Sequence, residues 1–304
     1  MTRSLLGRTS IPAVVLALAC VASGAGIAAA SPDIPASVAN IASVQERAES
    51  GLLSRAEIRL AARRFGRSVG FAVVDLAGGP VRGVAGVGPA YALSTLKVLI
   101  VAQLLQDRGG PQRLTRVQRR NVRRALSQSV NEAAAALNTD LKHRHGGAAA
   151  TAAVLTRLLR RAGDHETRVR PGATPQSNYG MTLWSAANQV RFMAALARGC
   201  LLDPQSTRFL IREMGHVVSD QAWGLGRAGS PAYKGGWGTD GDGRYLVRQF
   251  GLLRARDGNE YAVAFTARSH DGRFESGQVL NTRVARWIRA HVTQAPAPSG
   301  CSGT

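Results

Sequence analysis

Three short segments carry residues that could together transfer an acyl group to a serine. In the first, Ser94 and Lys97 stand three residues apart at the start of an apolar stretch that predicts a helix, so their side chains would share one helix face. A nearby lysine amine lowers the barrier to deprotonation of a serine, which makes Ser94 a candidate nucleophile. We expect Ser94 to cap this helix, whose N-terminus would stabilise an oxyanion.

The use of lysine draws attention to two of these segments. Of the 39 basic residues, 36 are arginine and only Lys97, Lys142 and Lys234 are lysine. A guanidinium stays protonated, whereas the amine of a buried lysine can be tuned to act as a base. The lysines of this arginine-rich chain are therefore candidates for chemistry, although high-GC coding bias produces the same composition.

The second segment is Ser-Val-Asn at residues 129–131, and the third is Lys-Gly-Gly at residues 234–236. Together with Ser94-x-x-Lys97 they resemble, in order and context, the S-x-x-K, S-D-N and K-T-G boxes of the penicillin-recognising serine enzymes, the class A β-lactamases in particular. The resemblance extends over residues 41–292. It implies a serine enzyme that needs no cofactor or metal.

The resemblance implies a catalytic role for five residues. Ser94 would attack a carbonyl carbon, with Lys97 as the nearby base. Ser129 would relay a proton to the leaving nitrogen, and Asn131 would orient Lys97 and the substrate amide. Lys234 would supply positive potential and hold the Ser129 hydroxyl.

The third segment and the strand after it would bind the substrate. Gly235, Gly236 and Trp237 would line the cleft, and the backbone N–H groups of Ser94 and Trp237 would form the oxyanion hole. Arg244 begins the next predicted strand, where class A enzymes often place an arginine for the substrate carboxylate. The alternative for Arg244 is a surface arginine at a strand end.

The departures from the family pattern concern substrate binding and release of the acyl group. Val130 replaces an acid, and Gly235 replaces a hydroxyl residue that contacts the substrate carboxylate. The stretch between Ser94 and Ser129 is short, so one wall of the cleft could be missing. No acid occurs in residues 167–182, where the family carries its deacylating glutamate; Glu166 lies just upstream in different surroundings.

The order of predicted elements gives the fold class. Two strands and three strands separated by helices can form one sheet, with terminal helices on one face and the helical block as a lobe. We therefore expect an α/β (α+β) fold, a five-stranded antiparallel sheet flanked by helices with an inserted all-helical lobe. The predicted helices are 41–66, 94–105, 113–139, 148–162, 182–198 and 276–292, and the predicted strands are 70–76, 81–87, 232–234, 245–254 and 261–268.

The N-terminal residues predict export to the cell envelope or the medium. A basic start, an apolar stretch at 11–19 and Ala-Ala-Ala at 28–30 are typical of a secretory signal peptide cleaved near Ala30. Residues 31–40 predict a linker and 293–304 a flexible tail. Cys20 lies in a poor lipoprotein box. Cys200 and Cys301 could form a disulfide after export or remain two thiols.

The charge of +20 is scattered over the chain. No nucleic-acid-binding motif accompanies it, so the sequence does not favour DNA or RNA. The densest run, Arg113–Arg124, predicts either a solvated helix face or attraction to anionic cell-envelope polymers. We expect a monomer.

Three functions follow from these observations. The first is an exported serine hydrolase that forms an acyl-enzyme with a β-lactam or a peptidoglycan-derived amide and deacylates slowly. The second is a catalytically degenerate protein of the same fold that binds the cell envelope or acts as a scaffold. The third is a hydrolase of an unrelated ester or amide.

Overall fold

The computed structural model describes residues 52–76, 79–172, 179–240, 243–256 and 258–293. The predicted signal peptide, the linker, Cys20, Cys301 and nearly all of the predicted tail lie outside these residues. Cys200 is disulfide-bonded, and its pairing with Cys301 stays a prediction. None of the helices described is long and apolar enough to cross a bilayer.

A five-stranded antiparallel sheet forms the centre of the fold, with strand order β2-β1-β7-β6-β5. The central strands are mostly apolar on both faces and are buried along almost their whole length, as expected for a sheet covered on both sides. The strands are β1 (Val69–Asp75), β2 (Arg82–Ala85), β5 (Ala232–Thr239), β6 (Tyr245–Arg254) and β7 (Glu260–Arg268). Strand β5 is an edge strand.

Two apolar cores lie on opposite faces of this sheet. On one face pack α1 (Arg55–Phe65) and α8 (Phe274–His291). On the other face lie the remaining helices and a two-stranded ribbon of β3 (Ala90–Tyr91) and β4 (Leu183–Trp184). These helices are α2 (Lys97–Arg108), α3 (Arg116–Ser127), α4 (Asn131–His145), α5 (Ala148–Arg161), α6 (Ala186–Ala197) and α7 (Pro204–Met214).

Helix α2 is the centre of the helical lobe. Its first nine residues are all buried, which is the pattern of a helix surrounded by others rather than of an amphipathic surface helix. It packs against α4, α5 and α7. The residue at its start, Lys97, is therefore carried into the interior by an apolar helix.

The predicted fold class is confirmed, and three local predictions need correction. Ser94 does not cap α2, because it lies inside a 3₁₀ turn, Leu93–Leu96, that precedes the helix. The predicted helix 113–139 is two helices, since the backbone of Ser129 turns to a φ of +60° between them. Helix α7 was missed, although Asp203 at its N-cap and Pro204 at its first position are helix-start signals.

Trp287 attaches α8 to the sheet, and its removal tests the importance of that core. Its buried ring contacts Phe65 of α1 and Phe71 of β1. Trp287→Ala should lower the free energy of unfolding by about 3–5 kcal/mol, because it leaves a large cavity. Urea denaturation measures this change. The control Val279→Ala, on the same helix and 52% exposed, should change it by less than about 0.5 kcal/mol.

Candidate active site

The 3₁₀ turn that carries Ser94 is fixed by buried polar side chains. The Thr95 hydroxyl donates a hydrogen bond to the Ala92 carbonyl oxygen at 2.5 Å. The side-chain amide of Gln189, on α6, in turn donates to the Thr95 hydroxyl oxygen at 2.9 Å. Both side chains are fully buried. The turn is therefore attached to α6 through the residue next to Ser94.

Arg248 on β6 joins this turn to the sheet. Its buried guanidinium donates to the carbonyl oxygens of Ala90, Tyr91 and Trp184, and to the side-chain oxygen of Gln189 at 2.5 Å. Burial lowers the pKa of Arg248 to about 9. Since a buried cation without hydrogen-bond acceptors is costly, these four acceptors also fix where the guanidinium can lie. The guanidinium of Arg248 thus joins the β3–β4 ribbon, which leads to Ser94, to helix α6.

Lys97 points from the first turn of α2 toward the start of α4. Its Nζ donates to the Ser129 carbonyl oxygen at 2.6 Å and to Asn131 Oδ1 at 2.8 Å, and lies 3.4 Å from Ser129 Oγ. The side chain is 1% exposed. Desolvation lowers the pKa of Lys97 to about 8, against an opposing effect of the Glu132 carboxylate. Among the described residues, no hydrogen bond joins Lys97 to Ser94.

Ser129 occupies the break between α3 and α4 in the left-handed backbone region, which few residues other than glycine adopt. This conformation turns its carbonyl oxygen to Lys97 and its hydroxyl to Lys234. Lys234 Nζ donates to Ser129 Oγ at 2.9 Å and to the Gly235 carbonyl oxygen at 2.7 Å. Burial, and then the charge of Lys97, place the pKa of Lys234 well below its ordinary value.

Strand β5 approaches the Ser94 turn closely at Gly236. A Cβ atom on Gly236 would lie 3.0 Å from Ser94 N and 3.2 Å from Thr95 N, so a larger residue would displace the turn or the strand. Lys234, two residues earlier, points to the same face of β5. The structure therefore brings the turn of Ser94, both lysines and Ser129 together at the edge of the sheet.

The opposite face of β5 is aromatic. A Cβ atom on Gly235 would lie 3.2 Å from the six-membered ring of Trp223, which is 6% exposed. Trp223 also contacts Trp237 and Phe274, and Phe274 contacts Tyr245. An indole thus fills the space beside Gly235, where the resemblance places a hydroxyl side chain.

Arg244 and Glu166, two further candidates from the sequence, bind groups outside the lysine–serine cluster. The guanidinium of Arg244 donates to the carbonyl oxygens of Ser269 and His270, in the loop before α8. Glu166 is exposed, and its carboxylate accepts a hydrogen bond from the Asn188 side chain at 2.9 Å. Within the described part of the chain, no hydrogen bond or ion pair connects Glu166 to Lys97 or Ser94.

Sequence reasoning missed several residues around the site. Glu132 follows Asn131 directly, and its proximity to a box residue was a visible signal. Trp223, Gln189 and Arg248 lie on elements far away in sequence, and nothing in their own surroundings marks them. Their roles follow from packing alone.

The arrangement is suited to acid–base chemistry at a serine. It offers a hydroxyl on a helix-preceding turn, an amine whose pKa is near 8, and a second hydroxyl between two amines. A lysine with a lowered pKa can accept a proton near neutral pH. In the segments that the structure describes, no three His, Cys, Asp or Glu side chains cluster as a metal site would require.

This fold is that of the class A β-lactamases and of PBP-A. The chain superposes on an ancestral class A β-lactamase with a TM-score of 0.57 at 21% identity, covering 77% of this chain and 97% of that one. For a β-lactamase from Chitinophaga pinensis these values are 0.60, 18%, 77% and 97%. For PBP-A they are 0.58, 18%, 76% and 93%. No protein-family model and no curated protein matches the sequence.

The close approach at Gly236 can be tested with a neighbouring glycine as control. We expect Gly236→Ala to slow the acylation that the resemblance implies for Ser94 at least tenfold, since the added methyl group pushes against the backbone of the Ser94 turn. Gly238→Ala should slow it less than threefold, because its methyl group would meet one side-chain atom of Leu93. Labelling rates with a fluorescent penicillin measure both. Equal effects of the two substitutions would contradict the assigned contact.

Proposed function

We propose that this protein is an exported serine hydrolase that forms an acyl-enzyme at Ser94 with a β-lactam or a peptidoglycan-derived amide. The observation that carries the proposal is the position of Ser129 between the amines of Lys97 and Lys234, beside the turn of Ser94. The fold supports it, because the similar structures include class A β-lactamases and PBP-A.

The proposed acylation has two steps. In the first, neutral Lys97 takes the proton of the Ser94 hydroxyl as Oγ bonds to the carbonyl carbon. In the second, the carbon–nitrogen bond breaks, the nitrogen takes the proton of the Ser129 hydroxyl, and Ser129 takes a proton from the Lys97 ammonium, which returns to its neutral form. Lys234 Nζ holds the Ser129 hydroxyl through its hydrogen bond, and in its protonated form it adds positive potential to the site.

Deacylation is proposed to be slow. Hydrolysis of the ester needs a base that activates water, and Glu166 lies exposed with its carboxylate bonded to Asn188. The carboxylate that acts on the site is that of Glu132, whose charge raises the pKa of Lys97. The acyl-enzyme should therefore accumulate.

Covalent labelling tests the nucleophile. The mature protein, incubated with a fluorescent penicillin, should carry one label per chain that persists for minutes or longer in gels and intact-mass spectra. Ser94→Ala should carry none, while Ser276→Ala, at a hydroxyl on the opposite side of the sheet, should label like the wild type. No label on the wild type would reject the proposal and favour a non-catalytic envelope protein. Equal label on Ser94→Ala would reject Ser94 as the nucleophile.

The pH dependence of labelling tests Lys97. Because the neutral amine is the base and its pKa is about 8, the acylation rate should rise about tenfold per pH unit below pH 8 and level off above it. Glu132→Gln removes the charge that raises the pKa of Lys97, so the profile should shift to lower pH. Glu275→Gln, which removes a charge from α8, should leave it in place. A flat profile between pH 6 and 9 would exclude Lys97 as the base.

A further inference from the structure

An arginine-lined groove lies in the helical lobe, and none of its lining residues belongs to the Ser94 site. It runs between α3, α7 and the 3₁₀ turn Pro111–Arg113, and its cavity measures about 380 Å³. Three of its lining residues are arginines, and none is an acid. The lining residues are Pro111, Gln112, Arg119, Gln205, Arg208, Phe209 and Arg212.

A buried aromatic ring holds two of these arginines in place. The guanidinium carbons of Arg119 and Arg212 lie 5.9 Å and 5.5 Å from the ring centre of Phe209, which is 4% exposed. Arg119 also donates a hydrogen bond to the Pro111 carbonyl oxygen at 2.8 Å. Because stacking restricts both side chains, less conformational entropy is lost when they bind a ligand.

The acids nearest in sequence on α7 are already engaged. Asp203 caps α7 through the backbone N–H groups of Gln205 and Ser206. Glu213 is buried, with Arg123 at 3.6 Å and His216 at 3.8 Å. The three arginines therefore line one groove with no carboxylate among the lining residues, and a bound anion would lower the repulsion between their charges.

The positive surface continues from the groove along α3. Residues 111–124 contain six arginines and no acid, and Arg116, Arg120 and Arg123 are exposed at spacings that place them along one side of the helix. An anion bound in the groove can therefore extend along α3 if it carries several charges. A single small anion would use only the groove.

We propose that this groove binds the phosphate groups of a linear phosphate polymer, with Arg119, Arg208 and Arg212 as its central ligands. Guanidinium groups bind phosphate oxygens in pairs, and a chain of phosphates matches both the groove and the α3 arginines. A lipid surface fits less well, since Phe209, the large apolar side chain of the lining, is covered. Nucleic acid fits less well because the lining offers no exposed aromatic ring for base stacking.

Binding of fluorescent inorganic polyphosphate, measured by anisotropy over a range of salt concentrations, tests the proposal. Arg119→Gln/Arg208→Gln/Arg212→Gln should raise Kd at least tenfold at 0.15 M salt and reduce the salt dependence of log Kd. The control Arg59→Gln/Arg63→Gln/Arg283→Gln removes the same charge from exposed arginines of α1 and α8, and should raise Kd less than threefold. Circular dichroism checks that both variants fold, and Arg208→Gln alone should still weaken binding.

Three results would overturn the proposal. One is equal weakening by the two triple variants, which would mean that net charge alone binds polyphosphate. Another is a Kd of the groove variant that equals the Kd of the wild type. The third is groove-dependent binding to single-stranded DNA or to vesicles of anionic phospholipid that is tighter than binding to polyphosphate. Penicillin labelling of Ser94 should be the same in all variants, so this test is independent of the proposed acyl transfer.

Discussion

The hydroxyl of Ser129 between two buried amines is the contact on which the rest of the site depends. Lys97 comes from the helical lobe and Lys234 from the sheet. Each amine would be costly to bury without an oxygen that accepts its hydrogen bonds. Ser129 supplies such oxygens to both. Because it does so from a left-handed backbone conformation, helices α3 and α4 must end and begin on either side of it. The path of the chain through the lobe thus follows from the need to give two buried amines a hydrogen-bond acceptor.

The two lysines also act on each other. Their proximity lowers the pKa of Lys234 further than burial alone, so the site favours states with fewer than two full charges. Glu132 partly offsets this at Lys97. Because a second positive charge is disfavoured in this site, a protonated lysine amine gives up its proton readily. The neutral amine can take up a proton when negative charge develops nearby. Such behaviour is required of a group that serves first as a base and later as an acid.

The fold, and the grouping of Lys97, Ser129, Asn131 and Lys234 in one cluster, were accessible from the sequence because they are encoded locally. Alternating and continuous apolar patterns placed the strands and most helices, and three short motifs placed Ser94, Lys97, Ser129, Asn131 and Lys234. The break at Ser129 was not predicted, since no glycine or proline marks it. Arg248 and Trp223 were not predicted either, because their importance lies in contacts across the sheet. The predicted places of Arg244 and Glu166 depended on family pattern alone, and both have partners outside the lysine–serine cluster.

The packing of Trp223 against Gly235 limits how this sequence could change over generations. A side chain introduced at position 235 would press against the indole, with its Cβ atom 3.2 Å from the ring, so a hydroxyl residue there requires the tryptophan to shift. Loss of the tryptophan first would open a hole among Trp237 and Phe274 and weaken the attachment of α8. Positions 223 and 235 are therefore coupled, and a change at either one alters the packing of the other.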